Sequence, residues 1–234
     1  HNVNLHVRRG EIVGIAGLMG SGRTELALSV FGNVPGYQIT SGELYLNGQR
    51  VHFGHPADAI ASGVAYVTED RKLNGLVLIQ DVKFNISLPR LEKLLQGLVV
   101  NEHEEIAIAE EYRRSFDIRT PSVKTKVGNL SGGNQQKTSV AKWMFAEPAL
   151  IILDEPTRGI DVGAKYEIYQ LMNRLVSQGM SIIMISSELL EILGMSDRIY
   201  IMSEGTITGE LDAREATEEK IMALATKTTE GVRA

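Results

Sequence analysis

The residues Gly17-Leu18-Met19-Gly20-Ser21-Gly22-Arg23-Thr24 constrain this chain more than any other stretch. An apolar run, Ile12-Val13-Gly14-Ile15-Ala16, leads into them, and a helical pattern from Glu25 to Phe31 leads out. Strand, glycine-rich turn and helix in that order match the spacing of a phosphate-binding loop, G-x-x-x-x-G-K-[ST], with Arg23 at the lysine position. Glycine lets the backbone approach a triphosphate and turn successive N–H groups inward. The helix that follows adds orphan donors and the positive end of its dipole. Thr24 stands where a hydroxyl would meet Mg²⁺. The plainer alternative is an ordinary strand-to-helix turn rich in glycine, and this stretch alone leaves it open.

Two later runs weigh on that choice. Leu130-Ser131-Gly132-Gly133-Asn134-Gln135-Gln136-Lys137 opens a helix that Pro148 cannot continue. Ser131-Gly132-Gly133 reads as a second anion nest, or more plainly as an N-cap serine with two flexible glycines. Ala149-Leu150-Ile151-Ile152-Leu153 then reads as a buried strand ending in Asp154-Glu155-Pro156. Asp154 at the tip is where a phosphate-loop enzyme holds Mg²⁺, and Glu155 is placed to polarise an attacking water. Two acids could also simply cap a helix, but an apolar strand, Asp-Glu and a proline downstream of a phosphate loop argue for the chemistry. Thr157 to Asp161 makes a turn, with Asp161 as the N-cap of the next helix. The polar run Thr68 to Gly75 follows the strand Val64–Val67 and reads by itself as a solvated connector.

The remaining pattern alternates strands and helices. Val3, Leu5 and Val7 read as one face of a strand, and Asn47-Gly48 as the turn of a hairpin within 42–53. Phe84 to Phe116 reads as helical without strand signal, Asn101 and Glu104 forming a capping box and Ile106, Ala109, Tyr112 and Phe116 one face. The helix from Val162 is expected to turn Tyr166, Tyr169, Met172 and Val176 inward as core. Strands follow at 181–185, 198–202 and 206–211, then a polar surface helix from Arg214 to Thr226 and a loose tail from Lys227. The chain has 234 residues, 43% of them apolar, which suits one large domain or two small ones with a proper core. A net charge of −5 argues against nucleic acid as the main partner. Without cysteine there is no disulfide or thiolate metal site. No apolar run nears the ~18 residues of a membrane span, so work at a membrane would be that of a peripheral subunit. The abrupt strand-like start suggests a fragment of a longer polypeptide.

Together, the phosphate loop, Leu130-Ser131-Gly132-Gly133 and Leu153-Asp154-Glu155-Pro156-Thr157 resemble the nucleotide-binding subunits of ABC transporters. The chain is most similar to the second, C-terminal ATPase half of the tandem subunits of bacterial monosaccharide importers of the ribose, galactose, xylose and arabinose type. Thr68-Glu69-Asp70-Arg71-Lys72, Asn129 to Lys137 and Asp154 to Asp161 carry this closer likeness, which covers nearly the whole chain. The resemblance implies an α/β fold with a RecA-like P-loop core, an antiparallel β-subdomain and an α-helical subdomain. The expected boundaries are β-subdomain and P-loop core 1–81, helical subdomain 82–145, core 146–211, and C-terminal helix and tail 212–234. It implies ATP and Mg²⁺ as ligands, a second ATPase half and transmembrane permease subunits as partners, and a place on the cytoplasmic face of the cell membrane. The sugar itself is not contacted.

The resemblance also supplies roles. Gly17 to Thr24 would hold the phosphates, and Thr24, Asp154 and Glu69 the metal. Glu69 takes the place of the Q-loop glutamine and Ser187 that of the switch histidine. Leu130, Ser131, Gly132, Gly133 and Asn134 form the signature that caps ATP on the opposite half, and Asp161 closes the D-loop. The departures are Arg23 for lysine, Glu69 for glutamine and Ser187 for histidine. The aromatic residue that would stack on adenine falls before residue 1. If each altered contact were worth ~2–4 kcal/mol in the transition state, hydrolysis at this loop would fall by orders of magnitude. The expectation is an asymmetric pair, with a weakened site here and an intact signature serving the partner half. The competing readings are a nucleotide-binding regulatory module without turnover and a soluble ABC ATPase unrelated to transport. The acidic charge and the lack of a coiled-coil insertion speak against the latter.

Overall fold

A continuous apolar run makes Ile12–Gly17 (β1) a strand buried along almost its whole length, as a strand covered on both faces requires. The computed structural model describes residues 3–32, 36 and 39–227. After β1 the chain turns into Arg23–Val30 (α1), which stops where Gly32 takes φ 74°. Asn47 (φ 52°) and Gly48 (φ 76°) join Leu44–Leu46 (β2) to Gln49–Val51 (β3), with Leu44 opposite Val51. Positive φ at both central residues is what a type I′ hairpin demands. His55 and Asp58 form a capping box on Pro56–Ala61 (α2), and Val64–Val67 (β4) is wholly buried.

Asp70 caps a π-helical turn at Arg71–Gly75, and Asp81 caps Val82–Ser87 (α3). A 3-10 stretch, Leu88–Leu94, leads to a two-stranded ribbon of Leu95–Gln96 (β5) and Val99–Val100 (β6). The segment expected to be helical throughout therefore holds a ribbon, too short to leave a period in the sequence. Glu102–Ser115 (α4) starts at Asn101, whose side chain accepts from the Glu104 N–H and donates to its carboxylate. Gly132–Met144 (α5) is capped by Ser131. Leu150–Asp154 (β7) follows, then Val162–Ser177 (α6), Ser181–Ile185 (β8), Leu189–Met195 (α7), Arg198–Ser203 (β9), Thr206–Asp212 (β10) and Glu218–Ala225 (α8).

Two compact units result. One takes the chain up to Tyr66, Ala149–Glu155 and everything from Leu175; the other takes Val67–Pro148 and Pro156–Arg174. The first is organised on a six-stranded sheet of order β10-β9-β1-β8-β7-β4. β9, β1, β8 and β7 run parallel, with Ile12 beside Ile182 and Asp154 beside Ile185, and β10 is an antiparallel edge. The sheet's order brings the C-terminal ends of β1, β7 and β8 together, where open α/β sheets place their ligands. The second unit is mainly helical.

Three expectations are corrected. Residues 3–7 form no strand: the guanidinium of Arg198 holds them instead, donating to His6 O at 2.7 Å and to the Glu11 carboxylate at 2.7 and 3.0 Å. On α6 the buried stripe is Ala164, Ile168, Leu171, Met172 and Leu175, while Tyr166 is 62% exposed; both stripes fit a 3.6-residue period, and only the partner surface selects one. α8 begins at Glu218, later than the sequence pattern suggested, and buries Ile221 and Ala225 completely or nearly so. The expected loose tail beyond Lys227 lies outside the described residues.

Candidate nucleotide site

The loop after β1 is closed by the Ser21 N–H donating to Leu18 O at 3.0 Å. A Cβ on Gly17 would stand 2.5 Å from Met202 O and 2.6 Å from Ser21 Oγ, so only glycine fits. Gly22 is the N-cap of α1 at φ 94°, and no side chain caps the helix. Its first N–H groups are thereby left to an anion. The outer face is open: Met19 is almost fully exposed and nothing lies within 4 Å of a Cβ on Gly20.

Asp154, at the tip of β7, is 0% exposed. The Tyr66 hydroxyl donates to its Oδ2 at 2.8 Å, and Thr24 stands close enough to act on the carboxyl's charge. Oδ1 is buried without a hydrogen-bond partner. Burial pushes the Asp154 carboxyl up, the bond from Tyr66 and the nearby Thr24 hydroxyl pull it down, the Glu155 charge raises it and Arg23 lowers it, leaving it above the ordinary aspartate value. Burial and the facing Asp154 push the Tyr66 phenol well up, so it stays a donor. An unpartnered carboxylate oxygen beside a threonine hydroxyl fits Mg²⁺, a hard cation that accepts one or two protein oxygens and fills its shell with water and phosphate. Among the described residues no group of three or more His, Cys, Asp or Glu could hold a metal by itself, so an ion here would share its shell with phosphate oxygens.

Glu155 takes φ 48°, a left-handed conformation that costs a non-glycine residue about 1–3 kcal/mol. Its N–H donates to Ile185 O at 2.9 Å, which fixes it to the end of β8. Its carboxylate accepts from Ser187 Oγ at 3.1 Å and lies 4.0 Å from the Arg23 guanidinium. Arg23, 9% exposed, donates to Ser186 O at 2.7 Å. Burial lowers its pKa and the charges of Glu155 and Asp154 raise it. The cation at the lysine position is thus held between the two ends of the β7–β8 pair. Thr24, Arg23, Asp154, Glu155 and Ser187 come together in the first unit. Tyr66 and Ser186 were missed in the sequence; a phenol in the otherwise apolar Val64–Val67 was the only hint.

The other candidate residues belong to the second unit. Ser131 Oγ accepts from the Asn134 N–H at 3.5 Å and its side-chain amide at 2.9 Å. A Cβ on Gly133 would meet the Ala164 Cβ at 2.6 Å, so the first turns of α5 and α6 touch directly. Asp161 Oδ1 accepts from the Ala164 N–H at 2.9 Å as the N-cap of α6. A cavity of about 140 Å³ opens there, lined among others by Ser131, Asn134, Arg119, Asp161 and Glu167. Leu130 and Gly132 flank it in sequence. Glu69 belongs to this unit, and its carboxylate pairs with Arg158.

The ABC transporter family model matches residues 1–158, and the chain belongs to that family. The L-arabinose transport ATP-binding protein AraG of Geobacillus stearothermophilus is 60% identical over 227 residues, 97% of this chain and 44% of the relative. The xylose import ATP-binding protein XylG of Thermoanaerobacter pseudethanolicus is 56% identical over 225 residues, 96% of this chain and 44% of the relative. The ribose import ATP-binding protein RbsA of Clostridium tetani is 50% identical over 222 residues, 94% and 43%. The chain spans less than half the length of these relatives. Among solved structures, a dimeric ATP-binding cassette in a post-hydrolysis state with ADP and Pi superposes with a TM-score of 0.76 at 23% identity, over 92% of this chain and 90% of that one. A second cassette does so with a TM-score of 0.79 at 20% identity, over 95% and 90%. The fold is that of an ABC ATPase cassette, the α/β class expected from the sequence.

Proposed function

We propose that this chain is an ATP-hydrolysing half of the energy-coupling subunit of a monosaccharide importer, working peripherally at the cytoplasmic face of a membrane. The observation that carries the reading is the meeting of Thr24, the unpartnered Oδ1 of Asp154 and Glu155 beside an uncapped helix N-terminus. The relatives named for arabinose, xylose and ribose transport supply the class of cargo. The loop Gly17–Thr24 cradles the phosphates of ATP through backbone N–H groups, and Thr24 with Asp154 offers oxygens to Mg²⁺, which offsets phosphate charge when bound. Glu155 takes the proton of a water whose oxygen attacks the γ-phosphorus; the bond to the β–γ bridging oxygen breaks and ADP leaves. Ser187 orients the Glu155 carboxylate, and Glu69, at the Q-loop place, is a residue for the metal and for signalling to a permease subunit. Leu130–Asn134 and Asp161 face the ATP of a partner half. The partners are that second half and transmembrane permease subunits. The acidic net charge speaks against nucleic acid, and the sugar is not contacted. Among the described residues no helix is long and apolar enough to cross a membrane.

A second reading, a nucleotide-binding regulatory module without turnover, is favoured by Arg23, whose guanidinium is engaged by Ser186 O and lies near Glu155. Phosphate release from MgATP separates the two. The purified chain and the tandem protein that contains it are compared with their Glu155→Gln forms. The transport ATPase loses about 10²–10⁴-fold in rate when its general base is removed. Equal, background-level release from the tandem protein and its variant favours the regulatory module.

A further inference from the structure

Arg71 begins the π-helical turn Arg71–Gly75 and is 8% exposed. Its Nη1 donates to Arg158 O at 2.7 Å and its Nη2 to Gly159 O at 3.2 Å. The Arg158 side chain returns to Glu69, two residues before Arg71. A Cβ on Gly132 would stand 3.0 Å from Arg71 Nη2 and 3.1 Å from Gly159 O, so the first residue of α5 lies against the guanidinium and the turn it holds. The far end of the π turn is tied to the same helix, because Lys142 Nζ donates to Gly75 O at 2.8 Å. Every one of these groups lies in the second unit. π turns are rare and gather at functional sites. A guanidinium presents two parallel donors to two carbonyls, which an ammonium cannot.

We infer that Arg71 is a positioning residue that fixes the turn 156–161 to the start of α5, so that Ser131 and Asp161 are presented to a partner's nucleotide as one piece. Three separate segments meet on its guanidinium: the polar run 68–75, the turn after β7 and the signature helix. Without the fork, Arg158 O and Gly159 O lose these donors. The inference rests on the ATPase reading for its consequence and on geometry alone for its mechanism.

The test uses the tandem protein with Arg71→Gln and Arg71→Lys. Hydrogen–deuterium exchange is read at amides 132–135 and 158–162, and the kcat and KM of MgATP hydrolysis are read alongside. In Arg71→Gln, exchange at 158–162 speeds up about tenfold while the β1, β8 and β9 amides keep their protection. kcat falls about tenfold or more with KM within about twofold, as misplacement of a reacting constellation predicts. Arg71→Lys falls between. Unchanged exchange at 158–162, acceleration spread over the whole protein, or local acceleration with kcat unaltered each overturns the inference. If the parent protein has no turnover, local acceleration in Arg71→Gln still supports the fastening role while the ATPase reading fails. Unchanged exchange in an active protein removes the inference and leaves that reading standing.

Discussion

Around Thr24 and Asp154 the charged side chains mostly bond to one another or to strand-end carbonyls, whereas around Ser131 many polar groups bond to backbone, beside an ion-pair network of Arg119, Asp117, Lys137 and Glu167. Arg23, Glu155, Ser187, Tyr66 and Asp154 form one side-chain cluster. In the second unit Asn134 Oδ1 accepts from the Arg119 N–H at 2.8 Å, Lys137 Nζ donates to Asp117 O at 2.8 Å, and Arg71 holds Arg158 O and Gly159 O. A side-chain cluster can absorb a substitution by re-pairing its charges, and this one holds an arginine at the lysine position. The close approach at Gly132 and Gly133 leaves no such slack at the start of α5.

The largest effect is expected where there is least slack. Ser131→Arg puts a long cation at the N-terminus of α5, against the helix dipole and into the face proposed to meet a partner's ATP. In the tandem protein it should lower MgATP hydrolysis about 10²-fold, the usual worth of one well-placed contact to transition-state charge. Thermal stability should fall only by the loss of one N-cap, about 1 kcal/mol, since Ser131 is exposed and caps α5. Unchanged hydrolysis would end the proposal that this signature serves the partner half. Arg23→Lys should move the side-chain cluster in the opposite direction. A lysine gives up the guanidinium's bond to Ser186 O and reaches phosphate oxygens as a compact ammonium. Turnover at this half, read with the partner half's general base removed, should rise about tenfold, a fraction of a full contact. A fall would mean that the guanidinium itself is the working ligand.

What the sequence disclosed was local, and what it hid was distant. The strand–loop–helix at 12–30 and the hairpin at Asn47-Gly48 are written in short-range spacing and turn chemistry. So are the caps at Ser131 and Asp161 and the acids at the tip of β7. Arg198 reaching Glu11 across 187 positions and His6 across 192 has no local signature, and residues 3–7 form no strand. The α6 stripe failed for the same reason, because its phase is set by the surface it meets. At the site, motif spacing singled out Thr24, Asp154 and Glu155, which the fold brings together. It was silent on Tyr66, on the bond from Arg23 to Ser186 O and on the left-handed Glu155, all products of how β1, β4, β7 and β8 are juxtaposed. The run 68–75 looked like a solvated connector because its partners, the carbonyls of Arg158 and Gly159, lie more than eighty residues on.

The smallest predicted effect probes the side-chain cluster's one unmet need. The Asp154 carboxyl is held above its ordinary value, chiefly by burial. A carboxyl raised in the folded state binds more protons there than in the unfolded chain, so stability falls as pH climbs from the ordinary aspartate range through the raised value and stays lower above it. At pH 8 without metal, Asp154→Asn should therefore melt above the parent, by about 2–4 °C for each kcal/mol of relieved charge in a chain of this size. The gap should close as pH falls below the ordinary aspartate value, where both side chains are neutral. Tyr66→Phe acts with the opposite sign, because it removes a bond that stabilises the ionised form, and it should lower the melting point at pH 8 more than at pH 4. Adding Mg²⁺ with nucleotide should raise the parent's melting point and leave Asp154→Asn much less changed, since a neutral amide is a poor ligand for a hard dication. A variant that melts below the parent at pH 8 without metal would mean that Oδ1 is already satisfied. The contrast between a side-chain cluster with an open valence and the closely packed start of α5 would then be lost.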